Sequence, residues 1–493
     1  MVGAPSALDG FSIFLGLKSQ SHKYKGDAMA TSPCHTHTHT KAALFALLIL
    51  VCSFLLSGTV FSQETTTAPK TTDIWTQKWL LGDWGGARTK LEEEKGVSFD
   101  FHYFGDFLYA ANARIQDGGA GWNRVRGTMT IDFGKLVGPQ MKGWSLFATG
   151  LWQGGPNLGA NYLGSISNPS TLVSARTTML DSWWLQYAML DSKVTVKFGQ
   201  FASMDYYGLP PWIWQYMMEP LSYGFQNRFN DYASFDPASG PGAQLMVSPF
   251  NWMYFSAAYT SGNRSPFQQN PTGVEYVKIN SGVLSDSVGF KINQPAAGKP
   301  AKDKYYSGQY EIGSTYNGGK FANSFCNPTA QVPGCAPVGS SYYTNPLFYS
   351  NTGNYVWYFF GQQAVYRPKA GTKVGGIDLV GGMSFSPNEP YNFVNNTALF
   401  GVNYFGPIPS RPNDSVNFGL SYTHVSGQYA SYYAFSNPTA PPYSSEKAYE
   451  FNYVFQLTPY WYIQPDVQIF QDVGGIAKAG TAEAIGFRTK VTF

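Results

Sequence analysis

Charge is scarce in this chain. Only 13% of its 493 residues are Asp, Glu, Lys or Arg, yet the mean hydropathy is -0.21, so uncharged side chains carry the polarity. Disorder is excluded, because disordered chains are charged and aromatic-poor whereas 17% of this one is Phe, Tyr or Trp. Cysteine and histidine are also few, four and six. Long apolar runs are nearly absent: the one from Ala42 to Leu56 stands alone, and nothing after residue 62 approaches the roughly 20 residues of a spanning helix. A helical bundle is equally hard to build from 53 Gly, 31 Pro and so much Tyr, Phe and Thr. What remains is β structure, either as two or three ordinary domains or as one large closed barrel.

The apolar run follows Lys41 and precedes Ser57-Gly58, the pattern of a secretory signal, with cleavage expected after Ser62. An uncleaved N-terminal anchor is the alternative. His35, His37 and His39 lie upstream and would leave with the signal. Loss of residues 1–62 removes Lys18, Lys23, Lys25 and Lys41 with Asp9 and Asp27, taking 33 basic and 30 acidic residues to 29 and 28, a net charge of about +1. Nothing there calls for nucleic acid or another strongly charged partner. Cys326 and Cys335 remain, in the loop-like FCNPTAQVPGC, and in an exported protein such a pair is expected to close a disulfide. A zinc site is a poor rival, since His102 and His424 are the only histidines left, and no cofactor is expected.

Strict alternation recurs along the chain. Val97, Phe99, Phe101, Tyr103, Phe107 and Tyr109 oppose Ser98, Asp100, His102 and Asp106; Tyr449, Phe451, Tyr453, Phe455 and Leu457 oppose Glu450, Asn452 and Gln456. At the end Ile485, Phe487, Val491 and Phe493 oppose Gly486, Arg488, Lys490 and Thr492. These are period-two strands. A soluble sandwich also alternates, but it buries aliphatics, whereas these apolar faces are rich in the aromatics that girdle a membrane barrel. The apolar faces therefore point to lipid. Phe493, closing such a strand, is expected to be an assembly signal.

Strands are predicted to begin near residues 97, 124, 144, 180, 193, 241, 251, 307, 354, 376, 397, 414, 446, 460 and 483, with one more between 215 and 230. That makes an all-β, transmembrane antiparallel barrel of sixteen strands. The Gly-, Pro-, Asn- and Ser-rich segments 153–179, 202–240, 261–306 and 317–353 read as extracellular loops, some of which must fold inward to narrow so wide a pore. The predicted organisation is an extension with signal at 1–62, a tether and periplasmic helical segment at 63–96, and the barrel at 97–493. The helix is expected from about Gly86 to Gly96, a residue suited to the position after a helix end. It would serve as a periplasmic plug or anchor, or simply pack on the barrel rim.

Two segments carry a family resemblance. LLGDWGGARTKLEEEKGVSFD, from Leu80 to Asp100, and YEFNYVFQLTPYWYIQPDVQIFQDVGG, from Tyr449 to Gly475, resemble the N- and C-terminal signatures of the carbohydrate-selective porins of the OprB family. The resemblance implies a sixteen-stranded porin, monomeric rather than trimeric, that passes sugars through the outer membrane of a Gram-negative bacterium. No motif in the middle of the chain, where selectivity loops lie, carries over.

Parity nominates the lumen residues. With Val125, Met129 and Ile131 facing lipid, Arg124 and Arg126 face inward, as do Asp100, His102 and Asp106; beyond them Trp184, Gln186 and Lys197 follow the same parity, and Arg176 stands where an infolded loop could bring it to the constriction. Arginine, carboxylates, glutamine and tryptophan on one wall suit a sugar, which offers hydroxyls to planar polar groups and C–H faces to aromatic rings. The same charges could simply keep a wide pore wet. Expected partners are permeating mono- and small oligosaccharides, outer-membrane lipid and lipopolysaccharide, and the barrel assembly machinery. Two other functions compete. A general or anion-preferring porin would use the basic residues as an anion filter, and a secreted carbohydrate-active enzyme would need two carboxylates across a cleft. Apart from the consecutive Glu92, Glu93 and Glu94 no acidic pair stands out, so an enzyme is not expected.

Overall fold

The computed structural model describes residues 73–493 apart from 203–204, 206–211, 223–229, 231–235, 238, 263–269, 276–280, 294–305, 323–349, 369–374 and 388. The signal run, the histidine tract, the tether at 63–72 and the Cys326/Cys335 pair lie outside the described residues.

Sixteen strands build the described chain: β1 Val97–Ala111, β2 Gly118–Asp132, β3 Trp144–Gly154, β4 Thr177–Met189, β5 Val194–Phe201, β6 Gly240–Phe250, β7 Met253–Ser261, β8 Gly282–Ile292, β9 Gly308–Ala322, β10 Ser350–Tyr366, β11 Gly376–Phe385, β12 Val394–Phe405, β13 Ser415–Val425, β14 Ser445–Thr458, β15 Trp461–Gln471 and β16 Thr481–Thr492. Each pairs antiparallel with its sequence neighbours, and β1 also pairs with β16, which closes the sheet. At that seam Tyr103 sits opposite Val125 of β2 and Val491 of β16. Closure leaves no edge of unpaired N–H and C=O groups, which is what hydrocarbon demands of a sheet.

Burial is inverted relative to a water-soluble barrel. On β14 the buried residues include Glu446, Glu450 and Asn452, with Ala448 among them, while Phe451 is 54% exposed. On β16 Arg488 has no exposed surface, yet its neighbour Phe487 is 41% exposed. The alternation read in the sequence therefore puts the aromatic set outside and the polar set within.

The connections are of two kinds. One end of the barrel carries mostly short turns, such as 190–193, 251–252 and 459–460, and the other carries longer connections, such as 155–176 and the described parts of 202–239 and 262–281. Two expectations need correction. The stretch 261–306, read as loop, contains β8, and the described part of 215–230 holds a one-turn helix, Glu219–Ser222, in place of a strand. The expected count survives because the misplaced strand and the missed one offset each other. The cause is local: the Trp212–Met218 stretch is apolar because it packs inside the lumen, and β8 carries an outward Asp286 that interrupts its apolar face.

At the short-turn end lies helix α1, Ala87–Lys95, closed by Gly96 in the left-handed conformation at φ 67°. A side chain there would place its Cβ 2.8 Å from that of Lys135. Asp83 accepts from the Thr89 backbone N–H at 2.9 Å and its hydroxyl at 2.8 Å, fixing the first turn. Arg88 then reaches the barrel. Its guanidinium donates to the Phe493 carbonyl at 2.8 Å and the Phe99 carbonyl at 2.5 Å, under the Trp79 ring at 4.0 Å, while the Leu80 N–H donates to Thr492 O at 2.9 Å. The segment is thus clasped to the β1/β16 seam.

Candidate functional site

Two loops turn into the barrel, residues 155–176 (L2) and the described parts of 202–239 (L3), and the wall holds them by charge. Arg124 and Arg126, two apart on β2, project to one face as strand geometry requires. Between them sits Asp236 of L3: Arg124 Nη1 donates to it at 2.8 Å, and Arg126 donates both to Asp236 and, at 3.1 Å, to Asp181 of β4. Arg124 also donates to Gln153 Oε1 at 2.8 Å and to the Leu172 carbonyl of L2 at 3.3 Å. Burial works to neutralise Asp236; the two guanidiniums outweigh it and hold its carboxyl well below the usual carboxylate range.

A second anchor lies across the β1/β16 seam. Arg488 grips both oxygens of Asp106 at 2.7 Å, and Ser170 of L2 donates to the same carboxylate at 2.6 Å. The guanidinium then donates to Thr171 Oγ1 at 2.9 Å and to the Tyr216 carbonyl of L3 at 3.2 Å. One buried ion pair therefore tethers both loops.

Two carboxylates on β14 act through backbone. Glu446 accepts from the N–H groups of Ile166, Ser167 and Gly474, and Glu450 accepts from those of Met217 and Met218. Tyr216 runs on to β12 and β13, donating to Asn403 Oδ1 at 2.7 Å. Gly401 and Gly419 face each other across those strands, and a Cβ on Gly401 would stand 2.3 Å from the Tyr216 hydroxyl. The glycines leave the groove that the loop fills.

The sequence-predicted residues divide accordingly. Arg124, Arg126 and Asp106 come together with the loops. Trp184 is buried in a stack with Phe147 at 3.9 Å and Phe201 at 5.6 Å, with Lys197 4.9 Å from its ring, so its faces are occupied by the protein. Gln186 faces Lys197 in the β4/β5 register, on the strands that carry that stack. Asp100 bonds His102 Nδ1 at 3.1 Å, and His102 sets its ring edge-on to Phe104 at 5.2 Å. Arg176 is exposed and donates to Gly155 O at 2.9 Å, at the foot of L2.

Sequence reasoning missed Asp181, Asp236, Glu446, Phe104 and Trp214. Arg488 and Glu450 had been placed on inward faces but given no role. Asp181 had no parity signal, because the β3/β4 register slips between Gly150↔Leu180 and Thr149↔Ser182 and leaves Asp181 unpaired. That bulge turns both Asp181 and Ser182 inward. Glu446 and Phe104 were legible by the same alternation as their neighbours.

A closed sixteen-stranded barrel with an aromatic exterior, a polar interior and loops folded inside is an outer-membrane porin. The chain belongs to the carbohydrate-selective porin, OprB family, whose sequence pattern matches residues 118–493. Porin B of Pseudomonas aeruginosa is 24% identical over 452 residues, covering 84% of this chain and 91% of that protein. A putative porin QuiX of Acinetobacter baylyi is 22% identical over 479 residues, covering 89% of this chain and 98% of its own. Among solved structures, the high-pH form of Pseudomonas putida OprB superposes with a TM-score of 0.73 at 17% identity, covering 86% of this chain and all of that one. The fold and the family place the protein in the outer membrane of Gram-negative bacteria.

Proposed function

We propose that the barrel lets mono- and small oligosaccharides diffuse passively into the periplasm, and that Arg126 is the hydroxyl donor at its constriction. The observation that carries this reading is the pairing of lumen charge. Arg124 and Arg126 share Asp236, Arg126 also pairs with Asp181, and Asp106 matches Arg488, so three arginines meet three carboxylates and the wall there offers fixed polar groups with each cation matched. Neutral, hydroxyl-rich solutes suit such a wall; an anion-preferring pore would need cations left unmatched. The Arg126 side chain keeps 18% of its surface open, and its donors lie in a fixed fork.

In this reading the short-turn end and α1 face the periplasm, in keeping with the short periplasmic turns of such barrels. Outer-membrane lipid and lipopolysaccharide surround the aromatic exterior, Phe493 serves the assembly machinery, and the barrel works as a monomer and as a channel, not as a carbohydrate-active enzyme. Asp100, His102, Gln186, Lys197 and Arg176 contribute polarity along the path.

Single-channel conductance in planar bilayers tests the proposal, with a panel of sugars and inorganic phosphate as blockers. Sugars should block the wild type, and Arg126→Ala should weaken that block and shift ion preference towards cations, because a donor and a fixed positive charge are removed together. Block by phosphate with none by any sugar would overturn the reading.

A further inference from the structure

Resting on the sugar reading, one aromatic ring in the lumen stands out from the packed ones. L3 carries Trp212-Ile213-Trp214. Trp212 is fully enclosed, its Nε1–H donating to Leu221 O at 2.8 Å and its ring meeting Phe360 edge-on. Trp214 is different: it is 39% exposed although it lies inside the barrel. Its position there follows from its partner. It stacks on Phe104 of β1, centroids 5.1 Å apart and planes 18° from parallel, and Phe104 shares the lumen parity of His102 and Asp106 and is itself buried. The surface Trp214 leaves open therefore meets pore water.

The loop holds the ring in that place. The Gln215 N–H donates to Trp212 O at 2.8 Å, and Gln215 O accepts from Asn452 of β14 at 2.9 Å and Gln464 of β15 at 3.0 Å. The next carbonyl, of Tyr216, is held by Arg488. With backbone fixed on its C-terminal side and one face backed by Phe104, the indole is preorganised. An aromatic face kept wet is unfavourable unless something apolar visits it. Polar groups stand around Phe104, the ring that backs it: the His102 ring is edge-on to Phe104, and Lys490 Nζ lies 5.3 Å from the Phe104 centroid.

We infer that Trp214 is a stacking platform for pyranose rings in transit, with His102 and Lys490 meeting the hydroxyls at the ring's edge. The chemistry selects a class. A hexopyranose with equatorial hydroxyls presents axial C–H bonds as a rigid apolar face, whereas an acyclic polyol of the same carbon number has none. A single ring-to-ring contact is weak enough to let the solute leave, as conduction requires.

The test compares glucose with sorbitol on the full-length protein and on Trp214→Leu and Trp214→Phe. In the wild type glucose should block the current at lower concentration than sorbitol. Trp214→Leu keeps apolar volume without a π face and should raise the half-blocking glucose concentration about three- to tenfold, erasing the difference from sorbitol. Trp214→Phe should fall between, at about twofold. Heat-modifiable migration and potassium conductance report whether each variant assembles. If Trp214→Leu does not assemble, an unchanged glucose block in Trp214→Phe overturns the inference. Wild-type block retained in Trp214→Leu overturns it too and leaves the sugar channel standing, whereas no sugar block in the wild type removes both.

Discussion

Arg488 shows what a single side chain does in this lumen. It is wholly enclosed, holds Asp106 with two bonds, and extends to both infolded loops. Removing one partner of a buried pair strands the other, a loss of about 3–5 kcal/mol, far above that of a surface pair. Arg488→Leu should therefore lower the temperature at which the folded band disappears on a heated gel. Adding Asp106→Asn should recover part of that loss, because the stranded charge goes with it. An unshifted transition in the single variant would show that the pair contributes little. Alternation alone placed Asp106 and Arg488 on inward faces; it could not show that they meet, since 382 residues separate them. The same limit hid Asp236, which is contributed to the β2 arginines by a loop. Trp184 was drawn inward correctly, yet parity says nothing of depth, and Phe147 and Phe201 cover it.

Among elements, L3 is the one whose conformation the wall dictates. Its backbone lies on Glu450, Asn452, Gln464 and Arg488, and its far end is moored by Asp236. The mooring has a definite pH sense. The folded Asp236 titrates below its ordinary value of 3.8, so its contribution is complete above that value and is lost only as pH falls through the still lower folded one. The Asp236 contacts with Arg124 and Arg126 should therefore be as intact at pH 5 as at pH 7.5, read as equal proteolysis at the Asp236 end of L3. Cleavage near Asp236 that appears already at pH 5 would contradict the assignment. Strands with a clean apolar face, such as β14 and β16, were legible because lipid imposes the alternation. β8 was not, because its outward Asp286 is offset by Ser314 of the neighbouring strand, a pairing that no single segment displays.

For the whole molecule the critical place is the β1/β16 seam, where a ring must be completed between distant parts of the chain. Arg88 secures it from outside the sheet through two carbonyls, one on each strand's side. Arg88→Ala should cost about 1.5–3 kcal/mol per lost charged hydrogen bond. It should loosen residues 73–96 towards protease while sugar-blockable conductance persists. Equal protease resistance in the variant and the wild type would show that the clasp is idle.

That clasp also sets a sequence in time. Arg88 and Phe493 lie 405 positions apart, so although the Phe99 contact is local, the other half of the clasp has no partner until everything between them exists and β16 has found β1. Contacts of such separation form late. The GDWGGAR stretch is thus made long before the strand that completes its mooring, and its full docking marks a finished barrel.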